Sequence, residues 1–363
     1  MEVYFSNMKL SVFKKENDIN QQRALFKECF PENNGTSVEK KDHYLWKFHS
    51  FPSTPTSYEY GAYIKEKLIG YYAALPYEYM IDGKMIKVGM VCDVMTGIEA
   101  RGKGVFTKMG AYSTDSMKDE ELEFTIGYPI RPEVIPGHIK VGWEKLFALP
   151  LYIKFLSSKS LLKNKKINFL YPIIDLCLVS YNYLIGLLQY KNKYDIQIYN
   201  SKEISDIRGL DLFLQKWISE QEIALNKKIE FLKWRLGAPG KNYKIIIAKD
   251  SNEIIGLCIV SEIIKENVPS LAILDLSCLK YHKKAEGSIF SEIESYARDN
   301  KLEAIMIMAS SYFSKRYSLV KNGFIKSPHK FWLIVKNLNK NYSMAFLRNE
   351  KNWHLTWIDS DDL

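Results

Sequence analysis

Residues 93–106 read Asp-Val-Met-Thr-Gly-Ile-Glu-Ala-Arg-Gly-Lys-Gly-Val-Phe, the end of an apolar strand pattern running into a glycine-rich basic turn that opens a helical pattern. Few arrangements satisfy such a stretch. Gly102 and Gly104 let the backbone approach an anion closely, the first N–H groups of the following helix lack intrahelical acceptors, and the helix dipole favours negative charge there. Arg101 and Lys103 add fixed positive charge at the same mouth. The stretch predicts a strand, loop and helix N-terminus shaped to cradle a pyrophosphate.

Residues 97–103 fit the first seven positions of a nucleoside triphosphate loop, but Gly104 stands where that motif needs a Ser or Thr hydroxyl for magnesium. Read instead as Arg-x-x-Gly, with Arg101 and Gly104, the segment resembles the acetyl-CoA pyrophosphate loop of the GNAT superfamily of N-acetyltransferases, which requires no metal. The chain departs from the usual loop at Phe106, where a second small residue is common.

The second half of the chain repeats the landmarks of the first. Trp46 is answered by Trp234 at an offset of 188, Gly70 by Gly256 at 186, Asp93 by Asp275 at 182, and Gly142-Trp143 by Gly323-Phe324 at 181. Landmarks in one order with a slowly drifting offset predict two copies of one fold. At the second copy's loop position stand Lys283-Lys284-Ala285-Glu286, without glycine and with a carboxylate that repels phosphate. The resemblance thus implies an α/β fold of layered α+β type: two GNAT-like domains, each a mixed, largely antiparallel sheet flanked by helices. Residues 1–150 are expected to form the catalytic acetyl-CoA-binding domain and 151–195 a basic apolar helical connector. Residues 196–340 would be a degenerate copy, and 341–363 a C-terminal tail.

At 363 residues, 47% hydrophobic and 26% charged, the composition is that of a globular protein with more than one core. Cys29, Cys92, Cys177, Cys258 and Cys278 are odd in number and lack CxxC spacing, which predicts free thiols in a reducing cytoplasm. The N-terminus, with Glu2 and no continuous apolar run before Asp18, does not read as a secretory signal. The formal charge of +9 is concentrated between Leu151 and Asp195, where seven lysines (Lys154, Lys159, Lys163, Lys165, Lys166, Lys191, Lys193) face Asp175 and Asp195 alone. They frame Phe169–Leu188, an apolar run long enough to span a bilayer but interrupted by Asp175, Pro172, Asn182 and Gly186. Three readings follow: a helical connector packed between the copies, an interfacial helix on anionic lipid making peripheral membrane contact, or a true span. The lysines follow no nucleic-acid-reading motif, so no nucleic-acid partner is expected.

Within the first copy, Asp18 is expected to cap a helix over residues 19–29 and Asp42 one carrying Tyr44, Leu45, Trp46 and Phe48, ended by Pro52 and Pro55. Residues 60–64 and 68–75 form a hairpin around Lys65-Glu66-Lys67, and 77–81 with 85–95 a second around Asp82-Gly83. A helix over 105–117, a strand over 124–128 and a last helix over 133–141 complete the copy. In the GNAT pattern the co-substrate enters where the strand ending near Met95 splays from strand 124–128. The resemblance therefore implies that main-chain atoms around Val94, Met95 and Thr96 bind pantetheine. Arg101, Gly102, Lys103, Gly104, Val105 and Phe106 would hold the pyrophosphate.

Catalysis by direct attack of an amine on a thioester needs a neutral amine, an oxyanion donor and an acid for the thiolate. The GNAT pattern places a tyrosine acid five residues before the aromatic of the closing pair, a position held here by His138. Asp93, beside the thioester, is the candidate base, with a structural role open because Asp275 repeats it. Glu133 is an alternative base or amine anchor, and Glu99 is read as a buttress of the loop. Tyr77, Glu78 and Tyr128 are candidate acceptor-pocket residues. Pro129, Pro132 and Pro136 stiffen the acceptor wall. Such proline-rich forms resemble GNAT proteins of surface polysaccharide and amino-sugar metabolism. The small-molecule amine acceptor is accordingly expected to be an amino sugar, nucleotide- or lipid-linked. The competing classes are tandem aminoacyl or aminoglycoside-type acyltransferases and a non-catalytic membrane-surface scaffold.

Overall fold

The computed structural model describes residues 7–129, 131–163, 165–188, 194–282 and 285–361. Glu2, Ile130, Lys191, Lys193, Lys283 and Lys284 lie outside the described residues. In chain order the first half runs β1 (Lys9–Val12), α1 (Lys15–Cys29), α2 (Lys41–Tyr44, prolonged by a π-helical turn Leu45–His49), β2 (Tyr58–Ile64), β3 (Lys67–Ile81), β4 (Lys84–Thr96), α3 (Val105–Asp119), β5 (Phe124–Gly127), α4 (Ile135–Lys140) and β6 (Glu144–Phe155). Then come α5 (Lys159–Leu162) and α6 (Tyr171–Leu188). The second half runs β7 (Asp195–Asn200), α7 (Leu210–Ser219), β8 (Ile223–Leu225), α8 (Ile229–Leu236), β9 (Tyr243–Asp250), β10 (Glu253–Lys265), β11 (Val268–Cys278), α9 (Ala285–Asp299), β12 (Ala304–Met308), α10 (Ser311–Arg316), β13 (Ile325–Asn337), α11 (Met344–Arg348) and β14 (Trp353–His354).

Hairpin chemistry sets the registers. Lys65 and Glu66 (φ 45° and 66°) join β2 to β3, and Asp82 and Gly83 (φ 50° and 74°) join β3 to β4, both as two-residue left-handed turns that match strand twist. Residues 68–75 and 77–81, expected as separate strands, are one strand. Pro76 is tolerated within it because it lies past Ala74, the last β3 residue paired to β2. The expected caps are corrected: Lys14 and Lys40 stand at the helix starts, while Asp18 and Asp42 lie inside the first turns. Asp18 accepts instead from the Tyr63 hydroxyl at 2.8 Å. An acid in the first turn still complements the dipole without being the cap.

The chain divides into two compact units, Met1–Phe147 with Ala238–Gly240 and Trp332–Asn349, and Ala148–Gly237 with Lys241–Phe331 and Glu350–Leu363. In the first unit, β1 to β4 form antiparallel neighbours and β5 joins β4 in parallel. The unit is closed by the end of β13, with Ile334–Asn337 antiparallel to Gly127–Phe124. Its core gathers Tyr60, Tyr72, Val105, Met109, Trp143 and Ile334. In the second unit, β7, β9, β10 and β11 are antiparallel neighbours, β12 joins β11 in parallel, and Leu151–Phe155 of β6 close it antiparallel to β12. Its core centres on Ile246, Cys258, Ile273, Ile289 and Ile307.

Each unit is thus completed by a strand from the other half of the sequence, and a division at residue 340 does not follow the structural units. The sheet edges beside β5 and β12 each accept an apolar strand, so no local pattern says which of β6 and β13 closes which unit. The reading of the connector as a packed helix is also corrected. Along α6 only Asn182 and Ile185 are buried, among residues whose exposure is described.

Candidate active site

Between Tyr71↔Met95 and Ala73↔Cys92, Tyr72 alone faces two residues of β4, Asp93 and Val94. This is a β-bulge, and it holds Asp93 at φ 48°, a left-handed conformation that aspartate tolerates better than most side chains. The Asp93 carboxylate lies 2.8 Å from Lys47 Nζ and 4.0 Å from Arg23. Both cations are largely buried, and Arg23 also lies over the rings of Phe26 and Tyr44 at 4.4 and 5.3 Å. Beside this pair, buried Glu59 accepts from the hydroxyls of Tyr44, Tyr71 and Ser57, each at 2.6 Å, and meets Lys15 at 3.1 Å. Burial, followed by the Glu59 charge, pushes the Tyr71 hydroxyl well above its ordinary range. The bulge therefore rests on a floor of paired charges.

The parallel ladder between β4 and β5 covers only Val88–Met90 against Phe124–Ile126, yet β4 continues to Thr96. The two strands part where the GNAT pattern requires, which leaves Val94, Met95 and Thr96 with no β5 partner. Thr96 Oγ1 is buried without a hydrogen-bond partner. Past Thr96 the chain bends through Gly97, whose N–H donates to Ile69 O at 2.9 Å, and a 3-10 turn over Ile98–Ala100. Glu28, from α1, accepts the Ile98 N–H. Glu99, expected to buttress the loop, is exposed and only 3.8 Å from the exposed Lys67, so Glu28 does that job.

Gly102 (φ 72°) and Gly104 (φ 76°) hold left-handed backbone, and nothing stands within 4 Å of a Cβ built on Gly102. Arg101 Nε donates to Thr96 O at 3.3 Å, while Arg101 and Lys103 are exposed. The first bond of the α3 ladder is Lys108 N–H to Gly104 O at 3.0 Å, so the N–H groups of Val105, Phe106 and Thr107 precede it and are available to an anion. Open space, left-handed glycines, a helix N-terminus and two cations fit the pyrophosphate of a CoA thioester.

Phe106 packs under this loop. A Cβ on Gly137 would come within 2.6 Å of the Phe106 ring, so the glycine of α4 makes room for the aromatic that replaces the usual small residue. His138 meets Phe106 and Trp143 edge to face, both at 5.0 Å, and its Nδ1 has no hydrogen-bond partner. Burial lowers its pKa to about 4, so the imidazole is neutral at physiological pH. Gly137→Val is expected to destabilise the fold by about 1–3 kcal/mol through overpacking. Thermal unfolding checks this, and added Phe106→Leu should recover most of the loss.

The last helix is shorter than expected, a 3-10 turn Pro132–Val134 followed by α4, because Pro136 has no N–H to donate to the carbonyl four residues back and so cannot continue an α-helix begun at Glu133. Glu133 lies exposed on the 3-10 turn rather than on the helix. Arg131 reaches away from it to Cys29 O at 3.0 Å and to Glu32. Tyr77 is buried and stacked on Phe51 at 5.6 Å, Tyr128 is buried, and Glu78 stands opposite Lys87 across the hairpin. Sequence reasoning missed Lys47, Arg23 and Glu59. Lys47 belongs to the repeated Trp segment, but its counterpart on Asp275 is Lys227, not the Arg235 that offset 188 selects, so the repeat hid it.

Residues 13–145 match the family model of the acetyltransferase (GNAT) domain. With the splayed strands and glycine loop in place, this part of the chain is an acetyltransferase (GNAT) domain, and the protein is an acyltransferase. No curated protein matches the sequence. The fold is similar to a GCN5-related N-acetyltransferase from Anabaena variabilis (TM-score 0.66, 12% identity, 92% of this chain and 73% of that one). It is also similar to a conserved Enterococcus faecalis protein given as a probable N-acyltransferase (TM-score 0.63, 12% identity, 92% and 73%). Saccharomyces cerevisiae N-myristoyltransferase, solved with myristoyl-CoA, shares the fold at a TM-score of 0.57 and 10% identity over 91% and 79% of the two chains.

Proposed function

We propose that the protein is a cytoplasmic N-acetyltransferase that moves the acetyl group of acetyl-CoA directly to a primary amine, the acceptor being an amino sugar or polysaccharide precursor. One observation carries this reading: an open left-handed glycine loop at the N-terminus of α3 adjoins a strand edge that β5 leaves unpaired. The N–H groups after Gly104, with Arg101 and Lys103, hold the pyrophosphate, and the main chain of Val94, Met95 and Thr96 pairs with the pantetheine arm. Transfer forms an amide C–N bond and breaks the thioester C–S bond; the amine loses a proton and the sulfur gains one.

The ion pairs to Lys47 and Arg23 support Asp93 as the residue that sets the bulge beside the thioester rather than as a free base. The neutral, ring-enclosed His138 supports a positioning role beneath Phe106 over proton donation. Exposed Glu133, on the proline-stiffened wall, is suited to bind an incoming ammonium, and the neighbouring rigidity suits a compact sugar ring. The second unit repeats the order of hairpins, bulged strand, helix and parallel strand. Its α9 begins at Ala285 with Glu286 in the first turn, which supports a duplicated copy that does not bind CoA.

Titration of the protein with acetyl-CoA in a calorimeter tests the reading. Arg101→Glu is expected to weaken binding about 10- to 100-fold, because it sets a like charge beside the pyrophosphate. Thiol release should then appear with amino-sugar acceptors. Acetylation of peptides alone overturns the acceptor, and absence of CoA binding overturns the enzyme in favour of a scaffold.

A further inference from the structure

The polarity of α6 is reversed relative to an ordinary surface helix. Its carboxylate and its amide face the protein: Asp175 accepts from Ser157 Oγ and Ser158 Oγ at 2.7 Å and from the Ser158 N–H at 2.6 Å, and Asn182 donates to Phe155 O at 3.0 Å. Its apolar residues face outward, with Leu176 67%, Tyr183 66% and Ile173 62% exposed, continuing from Phe169 at 76%. A helix that meets water normally does the opposite. Asn168–Gly186 is long and apolar enough to cross a membrane, yet its inward face is already hydrogen-bonded to β6 and the turn after it, so the helix lies along the second unit.

Charge at one end says what covers it. Lys159, Lys163, Lys165 and Lys166 are exposed just before α6, and Lys163 and Lys165 line a cleft of ≈ 570 Å³ with Ser160, Leu161, Glu266 and Asn267. Tyr181 and Tyr183 add amphipathic rings of the kind that settle at headgroup level. We infer that α6 lies in the plane of an anionic lipid bilayer, its Ile173, Leu176, Tyr183 and Leu184 face inserted and the lysines on the headgroups. This inference does not depend on the acyltransferase reaction. An apolar face and a lysine cluster act together, since neither alone holds a protein firmly at a membrane.

Flotation of the full chain with vesicles tests it, using phosphatidylcholine with and without phosphatidylglycerol. Binding is expected on the anionic vesicles, falling with salt and by roughly fivefold for each of Lys163→Gln and Lys166→Gln. Leu176→Glu with Tyr183→Glu should abolish it, while Leu212→Glu, at an exposed apolar position on α7, should leave it intact. Circular dichroism and acetyl-CoA titration of the same variants separate lost lipid binding from lost folding. Binding to neither vesicle, binding that survives the double variant, or a dimer that the double variant dissolves would each overturn the proposal.

Discussion

Asp275→Ala is expected to cost about 3–5 kcal/mol of folding stability, the largest effect of any substitution considered for this chain. The Asp275 carboxylate is completely buried, with Lys227 Nζ 2.7 Å from both oxygens, Ser277 Oγ at 2.9 Å and Thr356 Oγ1 at 3.0 Å. Burial by itself pushes its pKa up, but Lys227 and His354, whose Nε2 lies 3.8 Å from the carboxylate, together more than offset this and the net shift is downward. Deleting the carboxylate strands the ammonium of Lys227, itself buried, in an apolar interior. Urea denaturation at an unchanged m-value checks the loss. Asp275→Leu combined with Lys227→Met should be much less damaging, because replacing both ions removes the desolvation cost along with the attraction. A single variant that loses less than about 1 kcal/mol would show that the ion pair is no structural anchor.

The same bulge position in the first unit carries Asp93 with Lys47, and the two pairs explain why an aspartate recurs. Each fixes a strand where an extra residue must be accommodated, at Asp93-Val94 opposite Tyr72 and at the register shift between Ile259 and Val260. The second unit buries its pair fully, while the first leaves the Asp93 side chain 11% exposed.

Acidification is expected to expose the second large effect, through His138. Its pKa falls from 6.5 in the unfolded chain to about 4 in the fold because burial disfavours the charged ring. The unfolded state therefore binds the extra proton first. The stability that His138 contributes as a neutral ring is intact above about pH 6.5, is lost as pH falls, and levels off below about pH 4. A shift of this size corresponds to about 3 kcal/mol across that window. His138→Phe should flatten the pH dependence of stability between pH 7 and 4 by that order relative to the parent protein. His354, buried in the second unit with its pKa lowered to about 3, contributes equally to both proteins and cancels in the difference. Parallel curves for the two proteins would show that the imidazole protonates freely in the fold.

Much of the first unit could be read from residues alone. The hairpin turns at Lys65-Glu66 and Asp82-Gly83 are local, so short-range chemistry decides them. The glycine loop was equally legible, since Gly102 and Gly104 occupy the left-handed conformations that only their lack of a Cβ makes easy. Helix starts were less legible, because an acidic residue favours both the cap and the first turn, and Asp18 took the second in order to hold Tyr63.

The residues around Asp93 were not legible as a group. Lys47, Arg23 and Asp93 come from the turn after α2, from α1 and from β4, and nothing in their spacing announces that they meet. Nor did position reveal the state of His138, which follows from enclosure by Phe106 and Trp143 rather than from its place before the closing pair.

Order along the chain, turn chemistry and the glycine loop were therefore set by the sequence itself, since each depends on a few adjacent residues. Tertiary structure alone decided which strand closes each sheet, which cation neutralises each bulge aspartate, and which face of α6 meets solvent. These outcomes depend on the burial of distant groups against one another, and an apolar strand, a lysine or an amphipathic helix carries no local mark of its partner.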